Sequence, residues 1–190
     1  MSKQFWESRW ESGQIGWDLG IVSPPLKAYI SQLENKKIKI LIPGCGNAYE
    51  AEYMLEQGFE NVYIIELAKK AIDLFKIRCP LFPEDQIING DFFELESSFD
   101  LVIEQTFFCA IIPDLRDQYV KKVNSLLNPN GKLVGVLFNR YFADGPPFGG
   151  DIAEYKTRFK SHFEILTMAN CHNSISPRQG SEVFINLQKK

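Results

Sequence analysis

The stretch from Lys39 to Tyr49, KILIPGCGNAY, constrains this chain more than any other. Ile38 to Pro43 is a short apolar run of the kind that forms a strand buried on both faces of a parallel sheet. Gly44 and Gly46 then interrupt it, which permits a tight turn and close approach of the backbone to a ligand, and a helical pattern follows from about Tyr49. Strand, glycine turn and helix form the first half of a nucleotide-binding βαβ unit.

The chain downstream completes that unit. Strands are expected at Val62–Glu66, near Gln86–Ile88, at Phe99–Glu104 and at Lys132–Phe138. Helical patterns run from about Tyr49 to Gln57, Ala68 to Arg78, Leu115 to Leu127 (capped by Asp114) and Asp151 to Lys160. Two late strands, Phe163–Met168 and Glu182–Leu187, are joined by a link without helical pattern and are expected to be antiparallel. Five βα alternations with a terminal hairpin predict an α/β fold: a doubly wound, mostly parallel, seven-stranded Rossmann-like sheet with an antiparallel C-terminal strand. No repeat or linker divides the 190 residues, so residues 1–190 are read as one domain.

Upstream of the first strand, residues 1–35 read as a helical arm. Phe5 to Gly13 forms a short amphipathic helix with Trp6 and Trp10 four apart on one face. Trp17 and Asp18 sit in a loop, and Ser23 is expected to cap a second helix that has Pro24 at its first position and reaches about Leu33. All three tryptophans fall within the first seventeen residues, as expected if the arm closes over a ligand.

Composition excludes other classes. Hydrophobic residues at 45% and charged residues at 24% are ordinary for a globular domain. A net charge of −3 without a long basic run argues against nucleic acid or an anionic membrane as partner. No apolar run approaches the roughly 20 residues of a membrane span. The first ten residues lack the apolar core of a signal peptide, so the cytoplasm is the expected location. Cys45, Cys79, Cys109 and Cys171 form no CxxC pair, and with only His162 and His172 besides, no metal site is expected.

In such a sheet, ligands sit at the carboxyl ends of the strands. Those ends carry Gly44 and Gly46, then Glu66 at the usual distance for a carboxylate that accepts ribose hydroxyls, then Asp91 and Phe92, suited to the amino group and face of an adenine, then Glu104 and Gln105. Tyr49 stands where a dinucleotide fingerprint needs a third glycine, and no P-loop lysine is present. A nucleoside without phosphate fits better, and S-adenosylmethionine is the common cofactor of that shape. Its sulfonium would suit the aromatic faces of the early tryptophans.

The segments FWESRWESGQIGWDLG, LIPGCGNAYEAEYMLEQG, IIEL, GDFFEL, FDLVIEQTFFCAI and DGPPFGG resemble the thiopurine S-methyltransferase family, closest to its thiol and halide methyltransferase branch. The resemblance covers Trp6 to about Phe159 and implies a class I methyltransferase fold. It implies cofactor contacts from Trp6, Trp10, Trp17, Gly44, Gly46, Glu66, Asp91, Phe92 and Glu104. Gln105 departs from the tyrosine of the thiol and halide branch and from the arginine of the thiopurine branch. Gln105, Phe107 and Phe148 are the candidate acceptor residues, and Arg116, Arg140 and Arg178 are possible anion-attracting groups.

The expected activity is in-line transfer of a methyl group to a small soft nucleophile such as a thiol, hydrosulfide, thiocyanate or halide, which needs little or no general base. The rivals are transfer to oxygen, nitrogen or carbon of another metabolite, and a non-catalytic cofactor-binding protein. The expected partner is a small-molecule acceptor, with the protein a monomer or weak homodimer.

Overall fold

Residues 40 to 43 are all buried, and because successive strand residues face opposite ways, strand β1 (Ile40–Pro43) feeds two cores. Ile40 and Ile42 point into a cluster with Leu26 and Ile30 of α2 (Pro24–Ile30), Met54 of α3 (Tyr49–Glu56) and Phe75 of α4 (Lys69–Arg78). Leu41 points the other way, to Tyr119 and Val123 of α5 (Arg116–Leu126) and Phe159 of α6 (Ile152–Phe159). Helices therefore cover both faces, and each fully buried aliphatic or phenyl side chain contributes roughly 1.5–3 kcal/mol. These elements come from a computed structural model that describes residues 1–190.

The other strands are β2 (Val62–Glu66), β3 (Ile87–Asn89), β4 (Phe99–Gln105), β5 (Leu127–Phe138), β6 (Phe163–Asn170) and β7 (Glu182–Lys189). They form one sheet in the order β3-β2-β1-β4-β5-β7-β6. The first five are parallel, while β7 runs antiparallel between β5 and β6. Strand order reverses between β1 and β4, and the crevice at that switch point is where such sheets hold ligands. The expected seven-stranded, doubly wound sheet is the one observed.

The strand ends are locked in a row. Gly44 N–H donates to the Ile65 carbonyl at 2.8 Å, Gly90 N–H to that of Glu66 at 3.1 Å, and Thr106 N–H to that of Val136 at 3.3 Å. Gly44 and Gly46 have φ of +55° and +52°, the left-handed region the expected turn needs. Thr106, a β-branched residue at φ +58°, is held in that region just after β4, a strain on the order of 1–3 kcal/mol.

Several local expectations need correction. Helix α1 (Lys3–Glu11) starts earlier than read, because Ser2 accepts the Phe5 amide as its cap. Helix α2 stops at Ile30, and the Ser23 hydroxyl, buried without a partner, makes no capping bond, while the Ser23 amide donates to Glu50. Asp114 lies in a 3-10 turn, Pro113–Leu115, and does not cap α5. No α-helix joins β3 to β4; the link is one 3-10 turn at Phe92–Glu94, so four alternations rather than five carry an α-helix.

Candidate active site

A cavity of about 240 Å³ opens at the carboxyl ends of β1, β2 and β4 and runs beneath the N-terminal arm. Its lining includes Trp6, Trp10, Trp17, Gly44, Gly46, Glu66, Asp91, Phe92, Gln105 and Phe107, so ten of the residues singled out from sequence meet at one place.

The arm forms the roof. Trp17 lies edge-on to Trp6 and Trp10, with ring centroids 5.6 and 6.2 Å apart. Trp10 seats on Ala68 and Ala71, where small side chains at the start of α4 leave room for an indole. Its ring also approaches Gly46 closely, as a Cβ placed there would stand 3.3 Å from it. Four polar contacts hold the arm down. Glu7 accepts from the Lys70 amide at 3.2 Å, and Tyr49 donates to Asp18 at 3.2 Å. Ser23 N–H donates to Glu50 at 3.0 Å, and Arg178 Nη2 donates to the Trp17 carbonyl at 2.6 Å.

The floor is the β1 turn and β2. Glu66 is nearly buried, with Oε2 accepting from the Gly46 amide at 3.0 Å and Oε1 from the Ala68 amide at 2.9 Å. Burial raises its carboxyl above the usual range, and those amides pull it back down. One oxygen thus ties the glycine turn, while each oxygen keeps a lone pair for a ligand hydroxyl. Asp91 accepts from the Phe93 amide at 2.8 Å, capping the 3-10 turn while lining the cavity. Phe92 is only 4% exposed and packs chiefly on Phe107 and Tyr119, so its face is mostly core.

Of the candidate cofactor and acceptor residues, two fall outside the cavity. Glu104 has no exposed surface: its Oε1 accepts from the Phe108 amide at 2.8 Å and its Oε2 has no partner. Burial pushes its carboxyl from 4.5 up to about 8, against the lowering effect of the Phe108 and Phe107 amides. It fastens the turn that carries Phe107 and is not part of the cavity lining. Phe148 is the second correction, because its backbone is tied to the Cys109 carbonyl and to Arg116, while Pro146 and Pro147 take the wall position.

The arginines are also committed. Arg116 is buried, with Nη1 on Glu154 at 2.9 Å and Nη2 on the carbonyls of Phe148 and Gly149. Arg178 holds Glu182 and the arm, and Arg140 lies exposed over Phe142. None lines the cavity. Sequence reasoning missed Asp18, Glu50 and Tyr49, which line the cavity from the arm and the first turn of α3. Glu50 is 4% exposed, and an acidic residue among apolar ones at a helix start was the signal available.

A family model described as thiopurine S-methyltransferase matches residues 1–188. A protein of Arabidopsis thaliana named probable thiol methyltransferase 2 is 29% identical over 184 residues, 93% of this chain and 81% of that protein. Thiocyanate methyltransferase 1 of Brassica oleracea is 28% identical over 184 residues, again 93% and 81%. Among solved structures, the 1,6-didemethyltoxoflavin-N1-methyltransferase of Burkholderia thailandensis superposes with a TM-score of 0.80 at 18% identity, covering 99% of this chain and 87% of that one.

Proposed function

The chain belongs to the thiopurine S-methyltransferase family, and from that premise we propose that it moves a methyl group from S-adenosylmethionine to a small soft nucleophile such as a thiol or halide. The observation that carries this reading is the single cavity in which the strand-end residues Gly44, Glu66 and Asp91 lie beneath all three tryptophans.

The residues present suit that cofactor. Glu66 offers free lone pairs at the end of β2 for the ribose hydroxyls. Asp91 and the part-exposed Phe93 stand where an adenine would lie, with the edge of Phe92 behind. The Gly44–Gly46 turn lines the cavity on the side where the methionine portion would run. When bound, the cofactor supplies an activated methyl on a sulfonium, which aromatic faces attract by about 0.5–2 kcal/mol.

The protein's own part is alignment and exclusion of water. Trp6, Trp10 and Trp17 roof the cavity, while Gln105 and Phe107 face it from the end of β4. Cys45, the one thiol in the lining, is unsuited to nucleophilic catalysis, because burial and then the neighbouring Glu66 charge push its pKa well up. A soft nucleophile needs orientation more than it needs a base, which agrees with a lining free of histidine.

Incubation with methyl-labelled S-adenosylmethionine and a panel of thiols and halides tests the proposal. Label appearing in a volatile or thioether product is expected. Tight binding of the cofactor without transfer to any acceptor would overturn it in favour of a non-catalytic binding protein.

A further inference from the structure

The cofactor runs from adenine through ribose to methionine, and the strand order β3-β2-β1 sets out its first parts: Asp91 after β3, Glu66 at the end of β2, the glycine turn after β1. Its methionine end then falls past that turn, where the first turn of α3 meets the arm. Two carboxylates line the cavity there, Asp18 from the arm and Glu50 from α3. Glu50 is 4% exposed, and its carboxylate takes one hydrogen bond, from the Ser23 amide to Oε1 at 3.0 Å. Its Oε2 has no partner and, unlike the unpartnered oxygens of Glu104 and Gln105, is not sealed off. Asp18 accepts from the Tyr49 hydroxyl through Oδ2 at 3.2 Å and keeps Oδ1 free. Burial raises the Glu50 carboxyl above its ordinary range, the Ser23 amide lowers it, and the charge of Asp18 raises it again. No cation of the protein answers this pair. The lining holds no lysine, arginine or histidine, and Arg78, behind Tyr49, is held by Glu52 and the Asn47 carbonyl. Met1 borders the same cavity, but its amine makes no ion pair with either carboxylate.

A carboxylate more than nine-tenths buried, with one oxygen open to a cavity and a like charge beside it, asks for a cation on the ligand. We infer that Asp18 and Glu50 form the subsite for the α-ammonium group at the cofactor's methionine end. The inference rests on S-adenosylmethionine occupying this cavity, and it assigns the groups that hold its amine. An ammonium carries three N–H donors and no acceptor, so it can give one to Glu50 Oε2 and one to Asp18 Oδ1 as charge-assisted bonds. Because Asp18 belongs to the arm and Glu50 to α3, that bridge joins roof to floor. S-adenosylhomocysteine keeps the ammonium and lacks the sulfonium, so its binding separates this contact from the attraction of the tryptophans for the sulfur.

Calorimetry with three ligands tests this: S-adenosylhomocysteine, its desamino analogue, in which hydrogen replaces the amine, and methylthioadenosine, which lacks the whole amino-acid end. The unmodified protein is expected to bind S-adenosylhomocysteine at least about tenfold more tightly than the desamino analogue. Glu50→Gln keeps an acceptor for the Ser23 amide, and Asp18→Asn keeps one for the Tyr49 hydroxyl. Each is expected to weaken S-adenosylhomocysteine about tenfold while leaving the desamino analogue and methylthioadenosine no weaker than before. A desamino analogue that binds the unmodified protein as tightly as S-adenosylhomocysteine would overturn the inference. So would variants that weaken all three ligands alike, the mark of a structural role, or that weaken none. Failure of all three to bind the unmodified protein would instead strike the cofactor reading of the cavity.

Discussion

At the scale of single residues, the least comfortable group is Glu104, an acid without solvent exposure and with one oxygen unpartnered. It fits because β5 places Gly135 opposite it; a Cβ there would stand 2.6 Å from the Glu104 Cβ. With the folded pKa at about 8 and the ordinary value at 4.5, the folded state holds this proton more tightly than the unfolded one. Its contribution is therefore fully present below about pH 4.5 and is lost as the pH rises through about 8. Glu104→Gln keeps an acceptor for the Phe108 amide and removes the titration. Urea melts are expected to show the variant close to the parent near pH 4.5, and more stable by roughly 1–3 kcal/mol at pH 9. At the β1 turn, a Cβ on Gly44 would stand 2.0 Å from the Phe107 ring, at φ +55°. Gly44→Ala is expected to cost about 1–3 kcal/mol in a urea melt and to weaken binding of S-adenosylhomocysteine.

At the scale of elements, the arm and the C-terminal hairpin are one device joined by Arg178. Its guanidinium reaches Trp17 across 161 residues of chain and pairs with Glu182, itself 2% exposed. Arg178→Ala leaves that carboxylate buried and unpaired, an expected loss of about 3–5 kcal/mol in thermal or urea unfolding. Adding Glu182→Gln should return much of the stability while leaving affinity for S-adenosylhomocysteine about tenfold low by calorimetry, because the Trp17 carbonyl stays untethered. Such contacts were not legible in the sequence. Apolar runs and glycine turns announce strands and helices, as at Val62–Glu66, where expected and observed limits coincide. An arginine paired with a distant carbonyl carries no local signal. The placing of Glu104 outside the cavity lining and Gln105 within it has the same origin: adjacent strand residues face opposite sides, and their order alone does not say which one faces the cavity. The missing helix after β3 is a matter of length, since Phe92–Glu94 already caps itself through Asp91 and leaves few residues before Phe99.

At the scale of the whole molecule, a two-faced sheet provides the floor and a separate arm provides the roof. Removing residues 1–20 leaves every strand and both main cores intact, apart from the small cluster of Trp10 with Ala68 and Ala71. The truncated protein is expected to keep its far-ultraviolet circular dichroism and to bind S-adenosylhomocysteine at least about tenfold more weakly. Because every tryptophan of the chain lies in this arm and lines the cavity, intrinsic tryptophan emission reports on the roof alone. The most direct measurement is a titration of the intact protein with S-adenosylhomocysteine, following that emission alongside calorimetry. The expected result is a saturable change in emission at one ligand per chain, coincident with the calorimetric isotherm and strongly weakened in Glu66→Ala. Absence of binding, or binding that leaves all three tryptophans unperturbed, would contradict a cofactor site closed by the arm.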